Sequence, residues 1–447
     1  MIPYLKITES ERKEMLSKLE IDNMEELFND IPKKLRVNKK LKIPNKMSEI
    51  ELINHINEIG KQNVSTDDVI SFLGGGVYNH YIPPMIDQIL MKPEFYTAYT
   101  PYQPEISQGT LQAIFEFQTM ICEITGLDVS NASVYDGATA ASEAMNMACN
   151  HTKRNKILIA STLNPETKNV LKTYAVCQDI EIIEINSVDG VLNIDDLEQK
   201  MNQDIAMCLV QNPNYLGQIE DCEKIEEIVH KTKKTLFGIY SYPMSLGILK
   251  SPGELNADIA IGDGQCFGIS QGFGGPHLGF MAAKKNLLRK LPGRIVGETE
   301  DKDGKRAFVL TLQAREQHIR REKASSNICS NQSLLALANT VYLSMVGRAG
   351  FKKLAIQITN KAHYLQKKLL LINGVKLKYD GPFFNEFVIE IDGDIQNVLD
   401  ELFSKGYYGG IKLTGDENKN CIMIAVTEKH TKNNLDDFAD ALEEVLS

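Results

Sequence analysis

The stretch Asp258-Ile259-Ala260-Ile261-Gly262-Asp263-Gly264-Gln265-Cys266-Phe267-Gly268 opens on a short apolar run and breaks into a turn spaced by glycines. Such a run, bounded by glycine, reads as a buried strand that ends in a tight turn. The same texture recurs on either side. Ile157–Ala160, Ile180–Ile185, Ile205–Val210, Leu236–Tyr240 and Leu278–Ala283 are further apolar runs, and helical patterns such as Asp221–Lys234 lie between several of them. Strand–helix–strand alternation predicts right-handed crossovers and a largely parallel sheet with helices on both faces.

Towards the C-terminus the pattern changes. A helix over Phe351–Leu370 leads to strands at Val375–Tyr379 and Phe387–Ile391, then a helix over Ile395–Lys405. A strand at Cys421–Val426 and a helix over Asn434–Leu446 close a small α+β domain. The first sixty or so residues read as short helices. Thr8 with Glu11 and Ser48 with Glu51 are capping-box pairs, in which side chains satisfy the free N–H groups of a helix start. Ile50, Ile53 and Ile56 then recur at helical spacing, with Gly60 as a stop and Pro32 and Pro44 as breaks. The expected division is a helical arm over residues 1–64, a large α/β domain over 65–345 and a small C-terminal α+β domain over 346–447. The arm fits either a neighbouring chain or a cap on its own domain.

A large α/β domain followed by a small α+β domain is the layout of pyridoxal-phosphate-dependent transferases of the aspartate aminotransferase-like fold (fold type I), although other enzymes share it. That cofactor needs a lysine for its Schiff base, an acid at its pyridine nitrogen and a turn at a helix N-terminus for its phosphate. Asp136-Gly137-Ala138-Thr139-Ala140-Ala141-Ser142-Glu143 fits a phosphate turn and equally an ordinary helix start. The other two requirements fail. Gln265 stands at the expected lysine position and cannot form an imine; the next lysine downstream is Lys284. The strand that should end in the pyridine acid reads Phe237-Gly238-Ile239-Tyr240-Ser241-Tyr242-Pro243, without a carboxylate. The fold is expected with its cofactor site emptied.

Three clusters remain to carry function. Gln271-Gly272-Phe273-Gly274-Gly275-Pro276-His277 is either a structural turn or a backbone cradle, through Gly274 and Gly275, for a ligand held by another subunit. Tyr96-Thr97-Ala98-Tyr99-Thr100-Pro101-Tyr102-Gln103-Pro104-Glu105 follows Gly74–Tyr81, which includes His80. Its prolines stiffen a strip of phenols that either packs with its hydroxyls at the rim or presents them as donors. Arg315-Glu316-Gln317-His318-Ile319-Arg320-Arg321-Glu322-Lys323 reads as a solvated charge run, or as a binder of a carboxylate or of a partner's acidic surface.

Bulk properties bound these readings. Hydrophobic residues make up 43% and charged residues 24% of 447, ordinary for a globular chain with a substantial core. A net charge of −10, with both signs mixed throughout, argues against nucleic acid as the main partner. No apolar run approaches the roughly 18 residues of a membrane span, so no spanning segment is expected, and the opening MIPYLKITESERKEM turns charged too soon for a signal peptide. The cytoplasm is the expected compartment. The eight cysteines form no CxxC pair, and Cys149 beside His151 finds no second ligand pair, so no metal site is expected.

Several segments together resemble the P-protein family of the glycine cleavage system, the decarboxylating glycine dehydrogenases. They are Tyr99-Thr-Pro-Tyr-Gln-Pro-Glu105-Ile-Ser-Gln-Gly109, Asn131-Ala-Ser133, Met244-Ser-Leu-Gly247 with Pro252-Gly-Glu254, Gly274-Gly-Pro-His277 and Arg315-Glu-Gln-His-Ile-Arg-Arg321 with Ser326-Asn-Ile-Cys329. They run in order through nearly the whole chain; Tyr242, where the family often has an acid, and Cys266 are local departures. The resemblance implies the alpha-type subunit of a split enzyme, in an α2β2 assembly whose beta-type subunit holds pyridoxal phosphate. It implies that glycine loses carbon dioxide and that the aminomethyl group passes to the lipoyl arm of the H-protein. On this reading His80, Tyr99, Tyr102 and Glu105 contribute to a shared catalytic site, while Gln103, Arg315, His318, Arg320 and Arg321 bind substrate or partner. Two rivals stand beside it: a standalone enzyme using Lys250 or Lys284, and a scaffold or regulator without chemistry.

Overall fold

The structure, a computed structural model, describes residues 7–447 apart from Asn38, Lys40, Asp416 and Glu417. Met1–Lys6, where the signal-peptide reading begins, lie outside the described residues. The chain divides into two units after Val64. In the first, α1 (Glu9–Lys18) and α2 (Glu49–Gly60) each start at a complete capping box. The Thr8 N–H donates to the Glu11 carboxylate at 2.7 Å and the Ser48 N–H to that of Glu51 at 2.7 Å. Neither helix buries a single residue, and Ile50, Ile53 and Ile56 all face solvent.

The second unit is built on a seven-stranded sheet. Its strands in chain order are β1 (Val129–Ser130), β2 (Lys156–Ala160), β3 (Glu181–Ile185), β4 (Ile205–Asn212), β5 (Leu236–Ser241), β6 (Ile259–Asp263) and β7 (Gly279–Ala283). Across the sheet the order is β1-β7-β6-β5-β4-β2-β3. The pairs from β3 to β6 are parallel, and β7 runs antiparallel to both β6 and β1. Every residue of β4 is buried, which is why these strands read as continuous apolar runs and not as alternating ones.

Helices cover both faces. On one, α3 (Gln108–Thr125) places Phe117 and Ile121 in a core shared with Ala260, Phe280 and Tyr342. On the other, the small residues of α4 (Gly137–Thr152), Ala140, Ala141, Ala144 and Ala148, let its backbone lie close against Ile157, Leu209 and Ile261. A hairpin of β8 (Ile295–Glu300) and β9 (Arg306–Thr311) follows. The chain then enters α5 (Ser333–Leu369), of which the apolar periodicity revealed only the second half. By length and composition this helix is long and apolar enough to cross a membrane, which corrects the expectation that no stretch qualifies; 33% of its most apolar 18 residues are buried in the protein. Ala336, Ala338 and Tyr342 in its first half pack into the core beside α3. At Gly347 the backbone leaves helical geometry (φ 60°, ψ 170°), so α5 is two helices meeting at a kink.

The C-terminal part has a four-stranded antiparallel sheet made of β10 (Val375–Leu377), β11 (Glu386–Ile391), β12 (Ile411–Lys412) and β13 (Cys421–Ala425), in the order β10-β11-β13-β12. Helices Ile395–Ser404 and Lys432–Leu446 pack on it through Val398, Leu402, Leu435 and Phe438.

Candidate functional site

The C-terminal edge of the parallel strands is where an open α/β sheet places its ligand crevice. Here β5 ends at Tyr240 to Tyr242, β6 ends at Asp263, and α4 points its N-terminus at both. The free N–H groups of that helix start would suit a phosphate, yet the protein's own carboxylates take two of them. Asp136 Oδ1 accepts from the Thr139 N–H at 2.7 Å, and Asp263 Oδ2 accepts from the Gly137 N–H at 3.0 Å. Asp263 also receives the Gln265 N–H at 2.9 Å, with His277 Nδ1 3.7 Å away. Burial pushes the Asp263 carboxyl up to about 6, against the pull of His277 and the two N–H donors. A Cβ on Gly137 would lie 2.1 Å from the Tyr240 hydroxyl. The anion seat exists and is filled from within.

Gln265, at the expected lysine position, is 2% exposed and fully engaged: its Nε2 donates to the carbonyls of Tyr78 and Ile269, and its Oε1 accepts the Tyr78 N–H. Neither rival lysine reaches this edge. Lys284 binds Asn256 and Asp258, at the opposite end of β6 from Asp263, roughly 15 Å away along an extended strand. Lys250 pairs with Glu223 in solvent. The residues present do not fit pyridoxal phosphate.

The segment Gly74–Tyr81 bridges the two sheets. Glu386 of β11 accepts from the Gly75 N–H and the Tyr78 hydroxyl, each at 2.6 Å, and burial pushes its carboxyl up to about 7. His80 is 4% exposed; its Nε2 meets the Tyr242 hydroxyl at 2.5 Å and its Nδ1 meets Glu428 at 2.7 Å. Burial acts to raise the Glu428 carboxyl, but His80 and the Tyr81 N–H outweigh it and hold it below its ordinary value. Among the described contacts none joins His80 to the tyrosine strip.

That strip lies with the basic run. Tyr99 is 88% exposed, and Gln103 and Glu105 are exposed beside it. Tyr102 is fixed by Arg294, whose guanidinium donates to its hydroxyl at 3.1 Å and stacks 5.2 Å from its ring centre. Arg294, itself buried, also reaches Thr100 and Ser330. The other side of Tyr102 meets His318 edge-on at 6.2 Å. Arg315 turns inward and donates to the carbonyls of Leu291 and Gly293, whereas Arg320 and Arg321 project into solvent without an ion-pair partner among the described residues. Arg294, which organises the cluster, was not singled out: a lone arginine after Pro292-Gly293 carries no periodic or spacing signal. Asp263 was passed over because its partner, Gly137, is 126 positions distant. The glycine loop ends on the same edge as Asp263, with positive φ at Gly272, Phe273, Gly274 and Gly275 and with Phe273 87% exposed.

A mostly parallel seven-stranded sheet, a helix start aimed at its carboxyl edge and a small α+β domain define the fold-type-I pyridoxal-phosphate scaffold. Glutamate decarboxylase of Lactobacillus brevis shares that fold, with a TM-score of 0.69 at 14% identity over 92% of this chain and 95% of that one. A model of the glycine cleavage system P-protein matches residues 3–442. The "probable glycine dehydrogenase (decarboxylating) subunit 1" of Bacillus cytotoxicus is 50% identical over 441 residues, 98% of each chain. A crystal structure of glycine decarboxylase (P-protein) in inhibitor-bound form superposes with a TM-score of 0.93, at 40% identity and full coverage of both chains. The chain belongs to the P-protein family of the glycine cleavage system.

Proposed function

We propose that this chain is the alpha-type subunit of a glycine decarboxylase, acting in the cytoplasm with a beta-type subunit in an α2β2 assembly. The beta-type subunit holds pyridoxal phosphate, which supplies the electron sink for decarboxylation; the remaining aminomethyl group passes to the lipoyl arm of the H-protein. The observation that carries the division of labour is the self-filled anion seat, with Asp263 and Asp136 on the N-terminus of α4 and no lysine at that edge. This chain's part is to complete the partner's site. Tyr99, Tyr102, Gln103 and Glu105 present hydroxyl, amide and carboxylate groups on one exposed strip that Arg294 holds in place. His80 contributes separately, by fixing the Tyr242 hydroxyl. His318, Arg320 and Arg321 face an acidic partner, with Arg315 anchoring their loop, and Gly274 and Gly275 offer backbone to the partner's cofactor. Reconstitution tests the reading: glycine-dependent carbon dioxide release should require this chain, the beta-type subunit and lipoylated H-protein together. Release by the beta-type subunit and H-protein without this chain would refute it.

A further inference from the structure

Beneath the basic run lies a cavity of about 180 Å³, between α4, the helical turn Lys285–Lys290 and the loop that follows Arg315. Five cations line it: Arg289, Lys290, Arg315, Arg320 and Lys323. Among the described residues none of Arg289, Lys290, Arg320 and Lys323 has an ion-pair or hydrogen-bond partner for its side chain. The single acid on the wall is Glu143 of α4, 1% exposed, whose carboxyl oxygens have the Ser326 hydroxyl nearby but no partner in good hydrogen-bond geometry. The Nε of Arg315 is likewise buried and unpaired. Buried polar atoms are nearly always satisfied, so a side chain with two orphan oxygens in a cationic cavity marks a missing partner. Burial pushes the Glu143 carboxyl up to about 7, with the nearby Ser326 hydroxyl opposing the rise. As pH falls through about 7 it becomes an O–H donor alongside the cations. A concave cationic wall in a chain of net charge −10 concentrates anions locally.

We propose that this cavity binds a small oxyanion, of phosphate or carboxylate type, held by the Arg and Lys side chains that line it. Its volume matches a small ligand. At roughly 30 Å³ per water the space takes about six waters, or one tetrahedral oxyanion with part of its shell. Ligands of nucleotide size need cavities of about 300 Å³ or more. Guanidinium forks suit two-oxygen recognition and supply the specificity that a simple patch of charge lacks.

The test is calorimetric titration of the full chain with inorganic phosphate at constant ionic strength, with oxalate in a parallel series. Saturable binding of either supports the site, and the stronger of the two identifies the type of oxyanion. The double variant Lys290→Ala/Lys323→Ala, at two exposed positions, should keep its melting temperature and weaken binding at least ten-fold. Glu143→Gln, which keeps a donor, should bind within about three-fold of the parent, and Glu143→Ala more weakly. Binding that fails to saturate, or that the double variant leaves unchanged, overturns the proposal. A final arm repeats the titration on the complex with the beta-type subunit. Retention there supports a free oxyanion, whereas displacement assigns the seat to a carboxylate of the partner and refutes it.

Discussion

Tyr102 shows how a single phenol is held ready without being buried. Arg294 donates to its oxygen and covers one ring face while His318 meets another edge, so the hydroxyl has a fixed direction at a half-exposed surface. Removing only the oxygens of Tyr99 or Tyr102 should lower turnover of the assembled enzyme while melting temperature stays within a few degrees; unchanged turnover would discard their role. Buried carboxyls bear on pH, and burial raises Glu220 as well as the three that follow. Asp263 is pushed up to about 6, and Glu143 and Glu386 to about 7. Each binds its proton more tightly folded than unfolded, so its contribution to stability is complete below the unfolded value near 4 and is lost as pH rises through 6 to 7. Each such group tilts stability by at most about 1.4 kcal/mol per pH unit within that window. The polar neighbour that acts on Glu143, the Ser326 hydroxyl, can serve a glutamine amide as well. Glu143→Gln should therefore match the parent in melting temperature at pH 5 and exceed it at pH 8. An equal gain at both values would show that the carboxyl does not titrate there.

At the scale of elements, α4 is the part that most depends on close approach. Gly137 lies against Tyr240 with no room for a methyl group, so Gly137→Ala should cost about 1–3 kcal/mol in denaturant unfolding, with Tyr240→Phe recovering part of the loss. A neutral substitution would mean that the helix start can slide away from the sheet. The strands of this sheet were legible in the sequence because burial on both faces makes them continuous apolar runs. The reversed direction of β7 was not, since an apolar run such as Leu278–Ala283 reads the same either way. The first half of α5 escaped notice because Asn339, Thr340 and Ser344 interrupt its apolar surface, although Asn339 is buried and donates to the Gly264 and Phe267 carbonyls. The candidate site divides in the same way. Absences at Gln265 and in β5 could be read directly, and so could the tyrosine strip and the basic run as local composition. What fills the cleft, and the arginine that joins strip to run, depend on residues far apart in the chain.

At the scale of the whole molecule, the chain has the architecture of a cofactor enzyme, and on the proposed reading it is inactive alone. The purified chain incubated with pyridoxal phosphate and borohydride should gain no covalent label on Lys250, Lys284 or any other lysine, and should release no carbon dioxide from glycine. A labelled lysine would revive the standalone reading. Mixed with the beta-type subunit it should be indispensable, and substitutions along Tyr99–Glu105 should then alter turnover where a pure scaffold would tolerate them. The carboxylates on the N-terminus of α4 have one more consequence, which a spectrophotometer can read. If, as proposed, the beta-type subunit alone holds the cofactor, this chain should not compete for it. In an assembly of equal numbers of the two chains, bound chromophore should then count only half of the polypeptides, however much cofactor is supplied.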